Sequence, residues 1–224
     1  MKNAIVIAVD GTAASGKGTL AKRLAGHFGF AHLDSGALYR LTALAVLQAG
    51  GDPANAADAV RGAQAIDLSL AGDLAIRTDK VGQAASLVAA LPAVRRALFD
   101  FQRGFLDRPP GGSPGAVMDG RDIGTVICPE ATAKLYVDAL PELRAHRRWL
   151  ELKAMGILRD EAGLLAELNA RDAADKSRPI SPLKLAPDAA LLDTSDLSID
   201  AAFARALDLV CPKIEAALKD RHRG

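Results

Sequence analysis

Residues 4–19 read A-I-V-I-A-V-D-G-T-A-A-S-G-K-G-T. The run 4–9 is short, apolar and rich in β-branched residues, as a strand buried on both faces of a parallel sheet reads. Gly11 to Lys17 then satisfies G-x-x-x-x-G-K. Over 19–28, Leu20, Leu24 and Phe28 recur every four positions, the spacing of one helix face. A strand, a glycine-rich turn and a helix in that order form a phosphate-binding loop. The glycines let the backbone curl so that several N–H groups face one anion, and the helix N-terminus adds positive partial charge. Lys17 brings a full charge toward the β- and γ-phosphates. The candidate ATP-binding residues here are Gly11, Thr12, Ala13, Ala14, Ser15, Gly16, Lys17, Gly18 and Thr19.

Working outward, apolar stretches keep alternating with helical ones. Strands are expected over 30–33, 116–118, 134–137 and 189–192, and helices over 36–48, 95–106, 141–155, 161–175 and 199–218. That alternation predicts an α/β fold, a parallel sheet of the P-loop type flanked by helices. The middle of the chain departs from it. Residues 66–70 and 74–78 flank Ala71-Gly72-Asp73 and read as a short hairpin. Alanine-rich helical material follows, and 108–115 (RPPGGSPG) is a loop by composition. The chain is therefore expected to be a single kinase domain in three parts. They are a core (about 1–50, 111–140 and 176–224), a small inserted monophosphate-binding lobe (about 51–110) and a helical lid (about 141–175).

Composition sets outer limits. With 224 residues, half of them hydrophobic and a quarter charged, the chain can build a real core. A formal net charge of +1 gives no global field to attract nucleic acid or an anionic membrane. Cys128 and Cys211 follow no metal-ligand spacing and read as free thiols in a reducing cytosol, and the four histidines form no zinc-ligand cluster. No stretch approaches the ~18 apolar residues of a spanning helix. A soluble, cytoplasmic monomer is expected.

The charged residues point to chemistry. Asp34 and Asp119 each close an apolar strand, so both carboxylates belong at the C-terminal edge of the sheet, where ligands bind in open α/β folds. Mg2+ suits such sparse carboxylate sites, held directly or through water, although either residue could instead cap a turn. Arg144, Arg147 and Arg148 share one helix face by their i, i+3, i+4 spacing. A polyphosphate would relieve their repulsion; the alternative is a solvated face paired with Glu142 and Glu151. Arg171, Asp175 and Arg178 share a second face, which could bind phosphate or form a salt-bridge ladder.

Four motifs carry a resemblance. They are D-G-T-A-A-S-G-K-G-T over 10–19, L-D-S-G-A-L-Y-R over 33–40, D-G-R-D-I-G-T over 119–125, and R-D-A-A-D-K-S-R over 171–178 followed by P-L-K. In this order the chain resembles the bacterial cytidylate kinase family over nearly its whole length. The run G-K-G-T is typical of nucleoside monophosphate kinases, and no N-K-x-D guanine-reading motif is present. The resemblance implies transfer of the γ-phosphoryl group of ATP to CMP or dCMP, with Mg2+ and without nucleic-acid or membrane partners. It implies a monophosphate site lined by Ser35, Tyr39, Arg40, Ser86, Arg95, Arg121, Asp122, Arg171, Asp175 and Arg178. Within that set, Arg95, Asp122 and Arg178 would surround the base and Asp175 the ribose, while Arg40, Arg121 and Arg171 would lie near phosphate. Lys17, Arg121 and Arg171 would be catalytic. Arg144 and Arg148 would meet ATP from a mobile lid over 144–159.

The chemistry asks little of the protein as a base. A phosphate monoester has its second pKa near 6, so the acceptor is already mostly dianionic at pH 7. The site must align two polyanions and neutralise charge during transfer, which suits the planar fork of arginine. Two alternatives stay open at this stage: a kinase of the same fold acting on UMP, AMP or shikimate, and a nucleotide-binding regulator without transferase activity.

Overall fold

The computed structural model describes residues 4–223, with side chains through 220. Its strands are β1 (Ile5–Gly11), β2 (Ala31–Asp34), β3 (Gly115–Gly120), β4 (Ala133–Asp138) and β5 (Ala190–Asp193). The α-helices are α1 (Lys17–Phe28), α2 (Ser35–Gln48), α3 (Ala56–Gln64), α4 (Asp79–Ala90), α5 (Pro92–Asp107), α6 (Pro141–Ala154), α7 (Glu161–Ser177) and α8 (Ile199–Arg223). Packing divides the chain into two compact units, Asp34–Phe105 and the remainder.

The larger unit is built on one sheet of order β2-β3-β1-β4-β5. β1 pairs in parallel with β3 and with β4, and β4 pairs in parallel with β5. The central strands β1 and β3 are buried at every residue, as their unbroken apolar runs require. Ile5, Ile7 and Val9 alternate along β1 onto one face, where Leu20 and Leu24 of α1 and Ala206, Val210 and Ile214 of α8 meet them. Fully burying a Leu or Ile side chain contributes about 1.5–3 kcal/mol. This layer therefore fixes α1, and with it the loop that opens α1. α8 runs on past the expected end near 218 and carries Pro212 at an exposed position, so the missing N–H costs no buried partner.

Successive strands leave β1 toward β2 and leave β3 toward β4, in opposite directions along the sheet. Right-handed crossovers then place the two connections on opposite faces, opening a crevice at the carboxyl ends of β1 and β3. Each strand also carries an aspartate at or beside its C-terminal residue: Asp10, Asp34, Asp119, Asp138 and Asp193.

The smaller unit is helical. α2 buries Leu38, Leu41 and Val46, α4 buries Val81 and Val88, and α5 contributes Val94 and Leu98. The hairpin expected around Gly72 is not formed. Its two arms are 3₁₀ turns, Leu68–Gly72 and Leu74–Arg77. The cause is local: Asp67 accepts the N–H of Ser69 at 2.9 Å and Asp73 that of Ala75 at 2.7 Å, and each bond bends the backbone out of strand geometry. α3 was not anticipated, although Asn55 caps it by accepting from Ala57 and Asp58. Among the described residues no helix is long and apolar enough to cross a membrane.

Candidate active site

The loop between β1 and α1 adopts the curled path its glycines permit. A Cβ on Gly11 would stand 1.9 Å from the Val137 carbonyl oxygen, so only glycine lets β1 pass β4 there. Gly16, with φ 87°, opens α1, and Ala14 also sits in the left-handed region at φ 58°. The loop's hydroxyls face inward. Ser15 Oγ donates to the Thr12 carbonyl at 3.0 Å, and Thr12 Oγ1 donates to Asp138 Oδ1 at 2.6 Å. Lys17 Nζ turns back along the loop, 3.3 Å from the Thr12 carbonyl. Thr194, just after β5, donates its hydroxyl to the Ser15 carbonyl at 3.0 Å. The loop is thus tied to the ends of β4 and β5 by residues that the motif does not contain.

The three arginines of α6 do not act as one cluster. Arg144 is buried and donates from Nε to the Ala139 carbonyl at 2.9 Å and from Nη1 to the Ala13 carbonyl at 3.1 Å. The same Nη1 lies 2.6 Å from Asp172 of α7. Arg147 grips Thr194 through its hydroxyl at 3.0 Å and its carbonyl at 2.6 Å. Arg148 pairs with Glu151 at 2.8 Å.

A second group of charges gathers where β3 ends. Asp119 is buried, with Oδ1 2.9 Å from His32 Nε2. Its Oδ2 would stand 3.5 Å from a Cβ on Gly18, so it faces the first turn of α1 at a position with no intervening side chain. Arg121 follows, its Nε donating to Asp175 Oδ2 at 2.9 Å, while Arg178 Nη1 lies 3.7 Å from Asp175 Oδ1. Burial alone would raise the Asp175 pKa, but the charges of Arg121, Arg178 and Arg171 prevail and hold it below the ordinary carboxylate range. The structure therefore brings Arg121, Arg171, Asp175 and Arg178 together, although 50 residues of chain separate Arg121 from Arg171.

Asp122, also buried, begins a single π-helical turn over Ile123–Ile127. Such turns are rare and recur at functional sites. The turn is held by Asp10, whose two oxygens accept the N–H groups of Ile123 at 2.8 Å and Gly124 at 2.7 Å. Burial pushes the Asp10 pKa up to about 7, against the lowering effect of those two bonds.

In the smaller unit, Arg95 is buried with its guanidinium 5.4 Å from the Tyr39 ring centroid and its Nε donating to the Ala89 carbonyl at 2.9 Å. Arg40 donates to the Ile76 carbonyl at 2.9 Å and lies against Gly82, whose carbonyl accepts from Ser86 Oγ at 3.3 Å. Ser35 is buried at the start of α2. Asp34 caps that helix by accepting the Ala37 N–H at 3.2 Å. Sequence reading missed Asp10, Asp138, Asp172 and Thr194. An aspartate at the end of every strand was the visible signal for the first two; nothing local marked the others.

Comparison with known proteins bears on this arrangement. A family model described as cytidylate kinase matches residues 7–211. A cytidylate kinase of Bradyrhizobium diazoefficiens is 52% identical over 98% of this chain and 100% of that protein. One from Rhodopseudomonas palustris is 53% identical over 92% of this chain and 95% of that protein. In fold, the chain is similar to the crystal structure of an uncharacterized protein from Eubacterium ventriosum. The TM-score is 0.52 at 14% identity, covering 92% of this chain and 98% of that one. With a phosphate loop at the end of β1, arginines converging beside β3, and half of all residues shared with these relatives, the chain belongs to the cytidylate kinase family.

Proposed function

We propose that this protein transfers the γ-phosphoryl group of ATP to CMP, and to dCMP, yielding ADP and the corresponding diphosphate. The observation that carries the reading is the pairing of Arg121 at 2.9 Å and Arg178 at 3.7 Å with Asp175, one helical turn beyond Arg171. Three guanidinium groups in one place repel one another, and an anionic substrate relieves that cost. In this reading Arg121 and Arg171 neutralise the transferring phosphoryl group, and Lys17 does so from the phosphate loop. No base is required, because the acceptor phosphate is already dianionic near neutrality.

Base choice rests with Asp122, Arg178 and Arg95. The 4-amino group of cytosine is a donor where uracil presents an acceptor, so a carboxylate such as Asp122 favours the first and repels the second. Ser35, Tyr39, Arg40 and Ser86 complete the CMP set, and Asp175 takes the ribose. Gly11–Thr19 and Arg148 form the ATP set, Arg144 serves it through its bond to the Ala13 carbonyl, and α6 and α7 are the lid. Mg2+ fits the residues present: Asp119 turns an oxygen toward the first turn of α1 beside Gly18. Asp34, which already caps α2, would join through water. When bound, the ion would neutralise charge on the β- and γ-phosphates. The protein works, in this reading, as a cytoplasmic monomer.

The test is a coupled assay of ADP release with CMP, dCMP, UMP, AMP and shikimate as acceptors. CMP and dCMP are expected to exceed the rest by at least ~10-fold in kcat/KM, because one mispaired buried polar contact costs about 1–3 kcal/mol. Preference for another acceptor would overturn the assignment.

A further inference from the structure

We infer that Asp172 is a positioning residue for phosphoryl transfer. With Arg144 it holds Ala13 of the phosphate loop by its backbone N–H and its carbonyl, and so sets the arch on which ATP rests. The inference deepens the proposed kinase reading and rests on it. Asp172 lies on α7, directly after Arg171, and is buried. Its Oδ1 stands 3.5 Å from the Ala13 N–H, and its Oδ2 is 2.6 Å from Arg144 Nη1. That same Nη1 donates at 3.1 Å to the Ala13 carbonyl, and Arg144 Nε is fixed by the Ala139 carbonyl at 2.9 Å. The backbone of one loop residue is therefore held at its N–H by a carboxylate and at its carbonyl by a guanidinium, so two successive peptide groups are fixed, and the two side chains that fix them are bonded to each other.

A second observation shows that the loop needs this hold. Ala14 follows the gripped residue in the left-handed region, a conformation that a residue with a Cβ keeps only where its surroundings impose it. Around the grip, Ala13, Ala145 and Leu168 form a small buried cluster with Ala14 and Leu165 against it. α6 and α7 thus press on the loop through both apolar and charged contacts. Because Asp172 and Arg171 are adjacent, the same bond that shapes the loop also fixes where the phosphate-facing arginine of α7 begins. Small errors matter at such a site: a displacement of about 1 Å can cost ~100-fold in rate.

A purely structural ion pair would behave differently. Replacing a buried pair by apolar residues of similar volume is often neutral or stabilising, so the structural and positioning roles separate in one experiment. The Arg144→Met/Asp172→Leu double variant is compared with wild type by thermal melting, by calorimetric Kd for CMP and for a non-hydrolysable ATP analogue, and by kcat with CMP. The expected result is a Tm within a few degrees of wild type and a CMP Kd within about 2-fold. The analogue Kd should rise by at least ~10-fold, and kcat should fall by at least ~30-fold. Wild-type kcat and wild-type analogue affinity in the folded double variant would overturn the inference.

Asp172→Glu serves should the double variant fail to fold. It keeps the charge and the ion pair but moves the carboxylate by one methylene. Weakened analogue binding at unchanged Tm supports positioning, and unaltered binding contradicts it. The analogue Kd needs no acceptor, so a wild-type protein that ignores CMP would sink the proposed function while leaving this readout intact.

Discussion

Two groups of arginines stand on neighbouring helices, and their surroundings differ. On α6, Arg144, Arg147 and Arg148 have gone separate ways, to Ala13, Ala139 and Asp172, to Thr194, and to Glu151. At the far end of α7, Arg178 and Arg121 pair with Asp175, one helical turn beyond Arg171. Both groups read alike in the sequence, as basic residues at helical spacing. The difference shows that spacing puts charges on a face, while the acceptors brought to that face decide whether they hold the fold or serve a ligand. Three guanidinium groups within a few turns of one another suit a phosphate site.

The largest expected effect tests the α6 side. Arg144→Ala leaves Asp172 buried without its charge partner, which costs about 3–5 kcal/mol. For a chain of this size each kcal/mol is worth roughly 2–4 °C, so a Tm loss on the order of 10 °C is expected in a thermal melt. An unchanged Tm would break the contrast. Lys17→Ala belongs to the other side: its ammonium serves the ligand, so kcat should drop by at least ~100-fold while the melt barely moves. Initial rates on folded protein check this, and near-normal turnover would remove the phosphate loop from the mechanism.

Smaller effects concern the turn that Asp10 holds. Asp122→Asn keeps the shape but removes the charge and can present either a donor or an acceptor. The ratio of kcat/KM for CMP over UMP should shrink by about 10-fold, with the loss mainly in CMP. A constant ratio would show that Asp122 does not read the base. Asp10 has its folded pKa raised from 3.8 to about 7. A raised carboxylate pKa means that the folded state holds the proton more tightly, so its stabilising contribution is full below pH 3.8 and is lost as pH rises through about 7. The Tm of wild type relative to Asp10→Asn should therefore fall by a few degrees between pH 4 and pH 8. A flat difference would place the Asp10 titration outside that window.

Much of this was legible in the sequence where one residue type dictates one geometry. The β-branched run of β1 and the glycines at 11 and 16 announce the strand and the loop, because few other structures tolerate them. The 3₁₀ turns at Leu68–Gly72 and Leu74–Arg77 were hidden because apolar residues on both sides of Gly72 imitate a hairpin. The side-chain bonds of Asp67 and Asp73 outweigh that pattern. α3 was hidden because it is short and buries only Ala59, Gly62 and Ala63, so no large apolar residue repeats at helical spacing. Asp172 could not be found locally at all, since its role depends on Ala13, 159 residues away.

Activity and stability are best measured together in one variant, Arg171→Ala. If the arginines around Asp175 are assembled for substrate phosphate, kcat with CMP should fall by at least ~100-fold. Removing one of three like charges should meanwhile leave the Tm unchanged or raise it. A variant that melts several degrees lower yet turns over CMP within about threefold of wild type would contradict the account. It would show the Arg171, Asp175 and Arg178 face to be a salt-bridge ladder that supports α7.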